Sequence, residues 1–300
     1  MGVSRGLNAV LTIRQPTNLE TVPGDAASFD LRDRAAEIPM LIAITKDVSP
    51  NINNCELKFV ERRRIDYSLA VKQLEEYRGA LERCGALVKR LRADSRYPDS
   101  CFVEDTAIVV DEIAVIASMG AASRRGETQA ITDELWPYHN ITHITLPATI
   151  DGGDVLRAGR RILVGLSSRT NQAGIEQLTR ILVPRGYRVI PVRTTKSLHF
   201  KSACTAIDDE TLLVNRDWIQ LDDLAGFNVV LTPDDEPDAA NVLRVNDTVF
   251  VQAGFPGTME RVRSVHGKVE ALDTSELRKA EGALTCLSIV FETTKPHPRS

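Results

Sequence analysis

Residues 105–118 read DTAIVVDEIAVIAS, two apolar stretches folded about the polar pair Asp111-Glu112. Val and Ile dominate both stretches, and a short polar pair between two such runs is the signature of a β-hairpin. The arrangement returns in residues 154–167 (DVLRAGRRILVGLS), turning near Gly159 and Arg160. It returns again in residues 203–215 (ACTAIDDETLLVN), turning at Asp208 and Asp209, and in residues 241–252 (NVLRVNDTVFVQ), turning at Asn246 and Asp247. Starts at 105, 154, 203 and 241 are separated by roughly 40 to 50 residues, the period of propellers and arrays. Between the hairpins lie helical patterns. The strongest is residues 170–183 (TNQAGIEQLTRILV), with Ile175, Leu178, Ile181 and Leu182 on one face and Gly186 shortly beyond its end. Weaker ones cover residues 68–84, 128–136 and 259–265. Short apolar strands follow the helices at 141–146 (ITHITL), 187–191 (YRVIP) and 268–272 (KVEAL), so the repeating unit is hairpin, helix, strand.

A ring of such units has to close. Residues 8–13 (NAVLTI) and 283–291 (ALTCLSIVF) are both strand-like and are expected to pair as the last hairpin, giving five α/β modules about a central axis. Residues 22–60 fit this scheme worst, because Pro23, Gly24, Pro39, Pro50 and the asparagines around 51–54 break any period; they read as a loop or insertion in one domain spanning 1–300.

Composition narrows the function. The 300 residues carry 37 Lys and Arg against 41 Asp and Glu, a net charge of −4, which supplies no field for a phosphate backbone and argues against a nucleic-acid partner. No apolar run approaches the ~20 residues that span a bilayer, and the N-terminus lacks the features of a secretory signal. Cys55, Cys84, Cys101, Cys204 and Cys286 are odd in number, scattered and without a C-x-x-C pair, as expected of reduced thiols in the cytoplasm.

Chemistry-bearing residues collect at the module edges. Asp99, Glu104 and Asp105 precede the first hairpin, and carboxylates so grouped suit a planar cation such as a guanidinium. Asp151-Gly152-Gly153-Asp154 precedes the second, and paired glycines permit close approach. His199 precedes the third, Cys286 lies on the closing strand, and Arg124 and Arg169 stand before expected helix starts suited to a ligand carboxylate. Singly, each has an ordinary structural reading: a solvated turn, a tight turn, a hydrogen-bonded histidine, a packed thiol. Their shared position at the module rims favours a site.

These strings, PDSCFVEDTA, SRRGET, DGGDVL, LSSRTNQAG, SLHFKSACT and GALTCLSIVF, resemble in the same order those of the dimethylarginine dimethylaminohydrolases of the amidinotransferase (pentein) superfamily. The similarity runs from about Asp66 to Phe291, with a weaker match at 8–19. It implies a five-bladed α/β propeller of ββαβ modules. It also implies hydrolysis of N-omega-methylated arginine to citrulline and an amine through a covalent Cys-thiouronium, with no cofactor and no metal. Cys286 would be the nucleophile, His199 the general acid and base, and Asp151 the completing carboxylate. Asp105 with Glu104 would hold the guanidinium, Asp99 the α-amino group, and Arg124 with Arg169 the α-carboxylate, with backbone contacts from around Leu19 and Ala280. The partner expected is a small guanidine; the oligomeric state is open, a dimer included.

Two positions bear on alternatives. Glu281 stands where the family commonly has Asp. Thr285 stands where arginine deiminases place a histidine, which argues against that relative without closing off an enzyme for arginine or another modified arginine. A non-catalytic methylarginine-binding protein would have no use for Cys286, His199 and Asp151 together, and a cysteine peptidase would have none for an acidic guanidinium cage.

Overall fold

A computed structural model describes residues 39–294. Five three-stranded sheets share one plan: a central strand pairs antiparallel with one neighbour and parallel with the other. The chain enters on β1 (Met40–Lys46), passes through α1 (Tyr67–Arg83) and returns on β2 (Leu87–Leu91), parallel to β1. Next come β3 (Ala107–Val110), β4 (Ile113–Ile116), α2 (Thr128–Leu135) and β5 (Asn140–His143). The third sheet is β6 (Val155–Ala158), β7 (Arg161–Leu166) and, after α3 (Gln172–Leu182), β8 (Arg188–Arg193). In the fourth, β9 (Cys204–Ala206), β10 (Thr211–Val214) and β11 (Asn228–Leu231) are linked by a single 3-10 turn at Leu221–Leu224 in place of an α-helix. The fifth is β12 (Leu243–Val245), β13 (Thr248–Gln252), α4 (Pro256–Arg263) and β14 (Val269–Leu272). After α5 (Ser275–Arg278), β15 (Ile289–Thr293) pairs antiparallel with β1, from Met40 opposite Thr293 to Ile44 opposite Ile289. The architecture is the five-bladed α/β propeller of ββαβ modules.

The hairpins form where the sequence places them. Gly159 and Asn246 take positive φ of 59° and 52° in their turns, a conformation open to Gly and tolerated by Asn. β4 and β10 are buried along their whole length, which is why they read as near-continuous apolar runs. On α3, Ile175, Leu178 and Leu182 are buried as the 3.6-residue period requires, the Asn171 side chain caps the start by accepting from Gly174 N at 2.9 Å, and Gly186 (φ 81°) turns the chain out.

Two expectations need correction. The strand that closes the ring against β15 is β1, inside the 22–60 segment read as a loop. The strand expected at 8–13 lies outside the described residues, as does Leu19. Pro39 and Pro50 bracket β1 rather than interrupt it; a proline just outside a strand removes no ladder hydrogen bond.

What positions the site is a repeated local device. Each blade's antiparallel edge strand is entered through one 3-10 turn: Val103–Thr106 before β3, Gly152–Asp154 before β6, Phe200–Ser202 before β9, Pro237–Ala240 before β12 and Thr285–Leu287 before β15. The turn at Val103–Thr106 packs against those at Gly152–Asp154 and Thr285–Leu287, the turn at Gly152–Asp154 against that at Phe200–Ser202, and the latter against that at Pro237–Ala240. Asn241 completes the ring, its Nδ2 donating to Thr285 Oγ1 at 3.0 Å and its Oδ1 accepting from Thr285 N at 3.1 Å.

Candidate active site

Four of the five turns carry or adjoin a chemical group of the site. From the first comes Asp105, 2 % exposed, whose Oδ1 accepts from Gly153 N at 3.1 Å and whose Oδ2 accepts from Arg124 Nη1 at 2.6 Å. Immediately before the second turn stands Asp151, fully buried, held by Gly120 N at 2.8 Å on Oδ1. His199, immediately before the third, lies between the two acids: Nε2 is 3.1 Å from Asp151 Oδ2 and Nδ1 is 3.7 Å from Asp105 Oδ1. Behind it Asp154 accepts from Ser167 Oγ at 2.6 Å, Thr170 Oγ1 at 2.7 Å and Phe200 N at 2.8 Å, fixing the turn that carries the imidazole. The last turn carries Cys286, half-buried.

The paired glycines have a steric cause. A Cβ on Gly152 would sit 2.0 Å from the Glu104 carbonyl oxygen, and one on Gly153 would sit 2.6 Å from Asp105 Oδ1 and 2.7 Å from His199 Nδ1. Any side chain there would push apart the groups that the turns bring together.

A small cavity of about 10 Å³ gathers these groups, its walls including Asp99, Asp105, Arg124, Arg169, His199, Ala280 and Cys286. Thiol, imidazole and carboxylate thus face one space although they come from opposite ends of the sequence. Glu104 does not share it. Its carboxylate accepts from Lys201 Nζ and from Thr285 Oγ1 (2.7 Å), and with both partners it lines a separate cavity of about 310 Å³, so its expected contact with a guanidinium is not what this arrangement offers.

The arginines differ. Arg124 is buried and its donors are committed: Nε and Nη2 to Glu127, Nη1 to Asp105, and Nη2 also to the Phe102 carbonyl at 3.2 Å. It braces Asp105. Arg169 Nη1, also buried, lies 3.6 Å from Asp151 Oδ2 and makes no hydrogen bond among the described residues. Asp99 accepts from Glu56 N on both oxygens, at 3.3 and 3.2 Å. Lys201, Glu127 and Glu56 carry no signal in the sequence; Asp154 stands in the double-glycine motif, but its role in fixing the turn emerges only from its contacts.

The electrostatics follow from burial and crowding of charge. Burial alone would lower the His199 pKa, but Asp105, Asp151 and Asp154 outweigh it and raise it to about 9, so the ring is a cation at neutral pH. Burial would raise that of Asp105, yet His199, Arg124 and Arg169 hold it down at about 2. Burial pushes the Cys286 thiol up, and the Glu104 and Asp105 carboxylates push it further, so without a ligand the sulfur is a thiol. Asp105, Asp151 and His199 also present donor atoms within 4.8 Å of one another, a spacing a divalent ion could bridge only by displacing the imidazole proton.

A cysteine, a histidine and two buried carboxylates around the axis of a five-bladed α/β propeller define the guanidine-modifying proteins of the pentein superfamily. A family model described as "N,N dimethylarginine dimethylhydrolase, eukaryotic" matches residues 40–225, and the chain belongs to the dimethylarginine dimethylaminohydrolase family of amidine-hydrolysing enzymes. It is 35% identical over 228 residues to the N(G),N(G)-dimethylarginine dimethylaminohydrolase of Pseudomonas aeruginosa, covering 75% of this chain and 90% of that one. It is 34% identical over 254 residues to that of Streptomyces coelicolor, covering 84% and 97%. Among solved structures, a cysteine-to-serine variant of the P. aeruginosa enzyme complexed with citrulline superposes with a TM-score of 0.80 at 32% identity, over 84% of this chain and 100% of that one. The N-terminal domain of a cyanobacterial arginine dihydrolase superposes at 0.72 with 16% identity, over 83% of this chain and 97% of that one, and so shares the fold. No helix among the described residues is long and apolar enough to cross a membrane.

Proposed function

We propose that this protein hydrolyses N-omega-methylated arginine to citrulline and dimethylamine or methylamine, with Cys286 as nucleophile and His199 as general acid and then base. The observation that carries this reading is the shared cavity: Cys286 faces the same space as a histidine held between Asp105 and Asp151. A guanidinium is a poor electrophile because its charge is delocalised, so it must be oriented and met by a strong nucleophile. Carboxylates at Asp105 and Asp151 bind the flat cation through charge-assisted hydrogen bonds, while Arg169 Nη1, ion-paired with Asp151 but making no hydrogen bond among the described residues, takes the α-carboxylate. The arriving cation offsets the acids that hold the Cys286 proton and favours the thiolate.

The sulfur then attacks the guanidinium carbon, forming the C–S bond. The His199 imidazolium donates its proton to the leaving nitrogen, the C–N bond breaks and the amine departs, leaving an S-alkylthiouronium. The neutral imidazole next takes a proton from water as its oxygen adds to the same carbon; the C–S electron pair returns to sulfur and the second water proton passes to the solvent or the departed amine, releasing citrulline.

The direct test is citrulline formation from arginine, monomethylarginine and both dimethylarginines; wild-type protein that forms none from any of them would defeat the reading. Arg169→Ala should raise KM roughly 100-fold with a smaller change in kcat, since it removes a buried partner of a ligand carboxylate; steady-state kinetics with an unchanged KM would take Arg169 out of the site.

The pH dependence follows from the pKa directions. The reactive pair, thiolate with imidazolium, has one proton fewer than the resting thiol with imidazolium. Neither group releases that proton at neutral pH, since His199 is raised to about 9 and burial with Glu104 and Asp105 raises the Cys286 thiol. From pH 7 toward 9, log(kcat/KM) should therefore rise with a slope near 1. A profile that is flat between those values would contradict the assigned protonation states.

A further inference from the structure

The turn Pro237–Ala240 differs from the other four in supplying no wall of the small cavity among the described residues. What it brings inward is the residue that follows it, Asn241, 2 % exposed. The Asn241 amide donates from Nδ2 to the Lys201 carbonyl at 3.0 Å and to Thr285 Oγ1 at 3.0 Å, and its Oδ1 accepts from Thr285 N at 3.1 Å. A backbone carbonyl can only accept and a backbone N–H only donate, so these partners fix which end of the amide is which. Lys201 stands two residues beyond His199, and Thr285 stands immediately before Cys286. One buried amide therefore joins the backbone behind the imidazole to the backbone behind the sulfur.

Asn241 is itself held on both flanks. Thr205 Oγ1, on β9, donates to the Ala240 carbonyl at 2.6 Å and accepts from Val242 N at 2.9 Å, so the backbone on either side of Asn241 is pinned to the strand that the histidine-bearing turn enters. A circuit closes through the first turn: Thr285 Oγ1 donates to Glu104 Oε2 at 2.7 Å, and Lys201 Nζ donates to Glu104 Oε1. Asn241, Thr285, Glu104 and Lys201 thus link four of the five turns by side-chain hydrogen bonds. A network satisfied in this way holds one arrangement, and deleting a member leaves its partners desolvated and unpaired.

We infer that Asn241 is a positioning residue for the reaction: from outside the cavity it fixes the Cys286 sulfur relative to the His199 imidazole by clamping together the two turns that bear them. The kinetic consequence rests on the hydrolase reading, whereas the hold on the thiol can be judged without turnover. Releasing the clamp leaves Asp105, Asp151 and Arg169 in place to bind substrate, so recognition persists while attack and proton transfer lose their alignment. Misplacement of about 1 Å costs on the order of 100-fold.

The full-length protein can be unclamped from either end. Asn241→Ala deletes all three bonds of the amide; Thr285→Val keeps the side chain's shape but loses its hydroxyl, and Thr285→Ser keeps the hydroxyl. With asymmetric dimethylarginine, kcat should fall about 100-fold in Asn241→Ala and about 30-fold in Thr285→Val while KM stays within about threefold, and Thr285→Ser should hold kcat within about threefold of wild type. Alkylation by iodoacetamide without substrate, followed at each cysteine by peptide mass spectrometry, reads the thiol directly. Freed from its clamp, Cys286 should react about tenfold faster in Asn241→Ala and Thr285→Val, so the sulfur becomes easier to reach as it becomes a poorer catalyst. Cys84, half-buried at the end of α1, and the buried Cys101 and Cys204 should keep their wild-type rates. Wild-type kcat in the unclamped variants, a raised KM without a fall in kcat, unchanged alkylation of Cys286, or equal acceleration at Cys84, Cys101 and Cys204 would each overturn the clamp. If Asn241→Ala does not fold, Thr285→Val against Thr285→Ser decides it. Wild-type protein that makes no citrulline from any guanidine overturns the hydrolase reading, and the alkylation rates then judge the clamp alone.

Discussion

Cys286→Ser is expected to lower citrulline formation from asymmetric dimethylarginine by about 10⁴-fold or more while leaving the fold and ligand binding in place. The thiol is half-buried at a cavity wall, so a hydroxyl fits the space it leaves. The hydroxyl fails for an electrostatic reason. A serine needs a neutral base to take its proton, and the only histidine at the site is held as a cation with a pKa of about 9 by Asp105, Asp151 and Asp154. Even a thiol needs the substrate's charge to ionise there; an alcohol, far less acidic, cannot follow. A citrulline assay against the wild type, with binding followed by calorimetry, checks both halves. Turnover within tenfold of wild type would remove Cys286 as the nucleophile.

Gly153→Ala should cost about 10²-fold to 10³-fold in kcat/KM, together with about 1–3 kcal/mol of stability. The added methyl would meet Asp105 Oδ1 at 2.6 Å and His199 Nδ1 at 2.7 Å, and the same residue's N–H holds Asp105 at 3.1 Å. Neither neighbour can yield freely, because Asp105 is fixed by Arg124 and His199 by Asp151. Misplacement of reacting groups by about 1 Å costs on the order of 100-fold. Kinetics alongside thermal unfolding separate this from simple destabilisation, and an alanine variant with wild-type kcat/KM would show that the close approach of acid and imidazole is dispensable.

The legible parts of the molecule were those written in local pattern. The hairpins around 111, 159, 208 and 246 announce themselves by paired apolar runs and polar turns, and α3 by its apolar face, its cap and Gly186. The closing strand did not, because MLIAITK lies between two prolines, and a search for periodicity penalises prolines without asking whether they fall inside the strand or just beyond its ends. The same two prolines kept Glu56 and the contacts of Glu281 out of view.

At the site, Asp105, Asp151, His199 and Cys286 were legible because each stands just before or within the turn that enters a strand, at the module edge where the sequence puts polar residues. The division of labour within pairs was not. Glu104 and Asp105 are neighbours in sequence, but the tight turn sends one toward Lys201 and Thr285 and the other toward His199. Arg124 and Arg169 look alike in sequence, yet only the fold shows that Glu127 and Asp105 take the hydrogen bonds of the first, while Nη1 of the second has an ion-pair contact with Asp151 and no hydrogen bond among the described residues. Such distinctions depend on long-range packing, which no window of sequence contains.

Cys286 stands only three residues ahead of β15, whose sheet partner among the described residues is β1. Chemical competence and topological completion are therefore a single event. Until the two ends of the propeller meet, the sulfur is not assembled with its histidine and acids, and a partly folded chain carries an ordinary, unactivated thiol. Contacts spanning such a separation form late, because they must repay the entropy of closing a long loop. An enzyme wired in this way has no reactive half-built form.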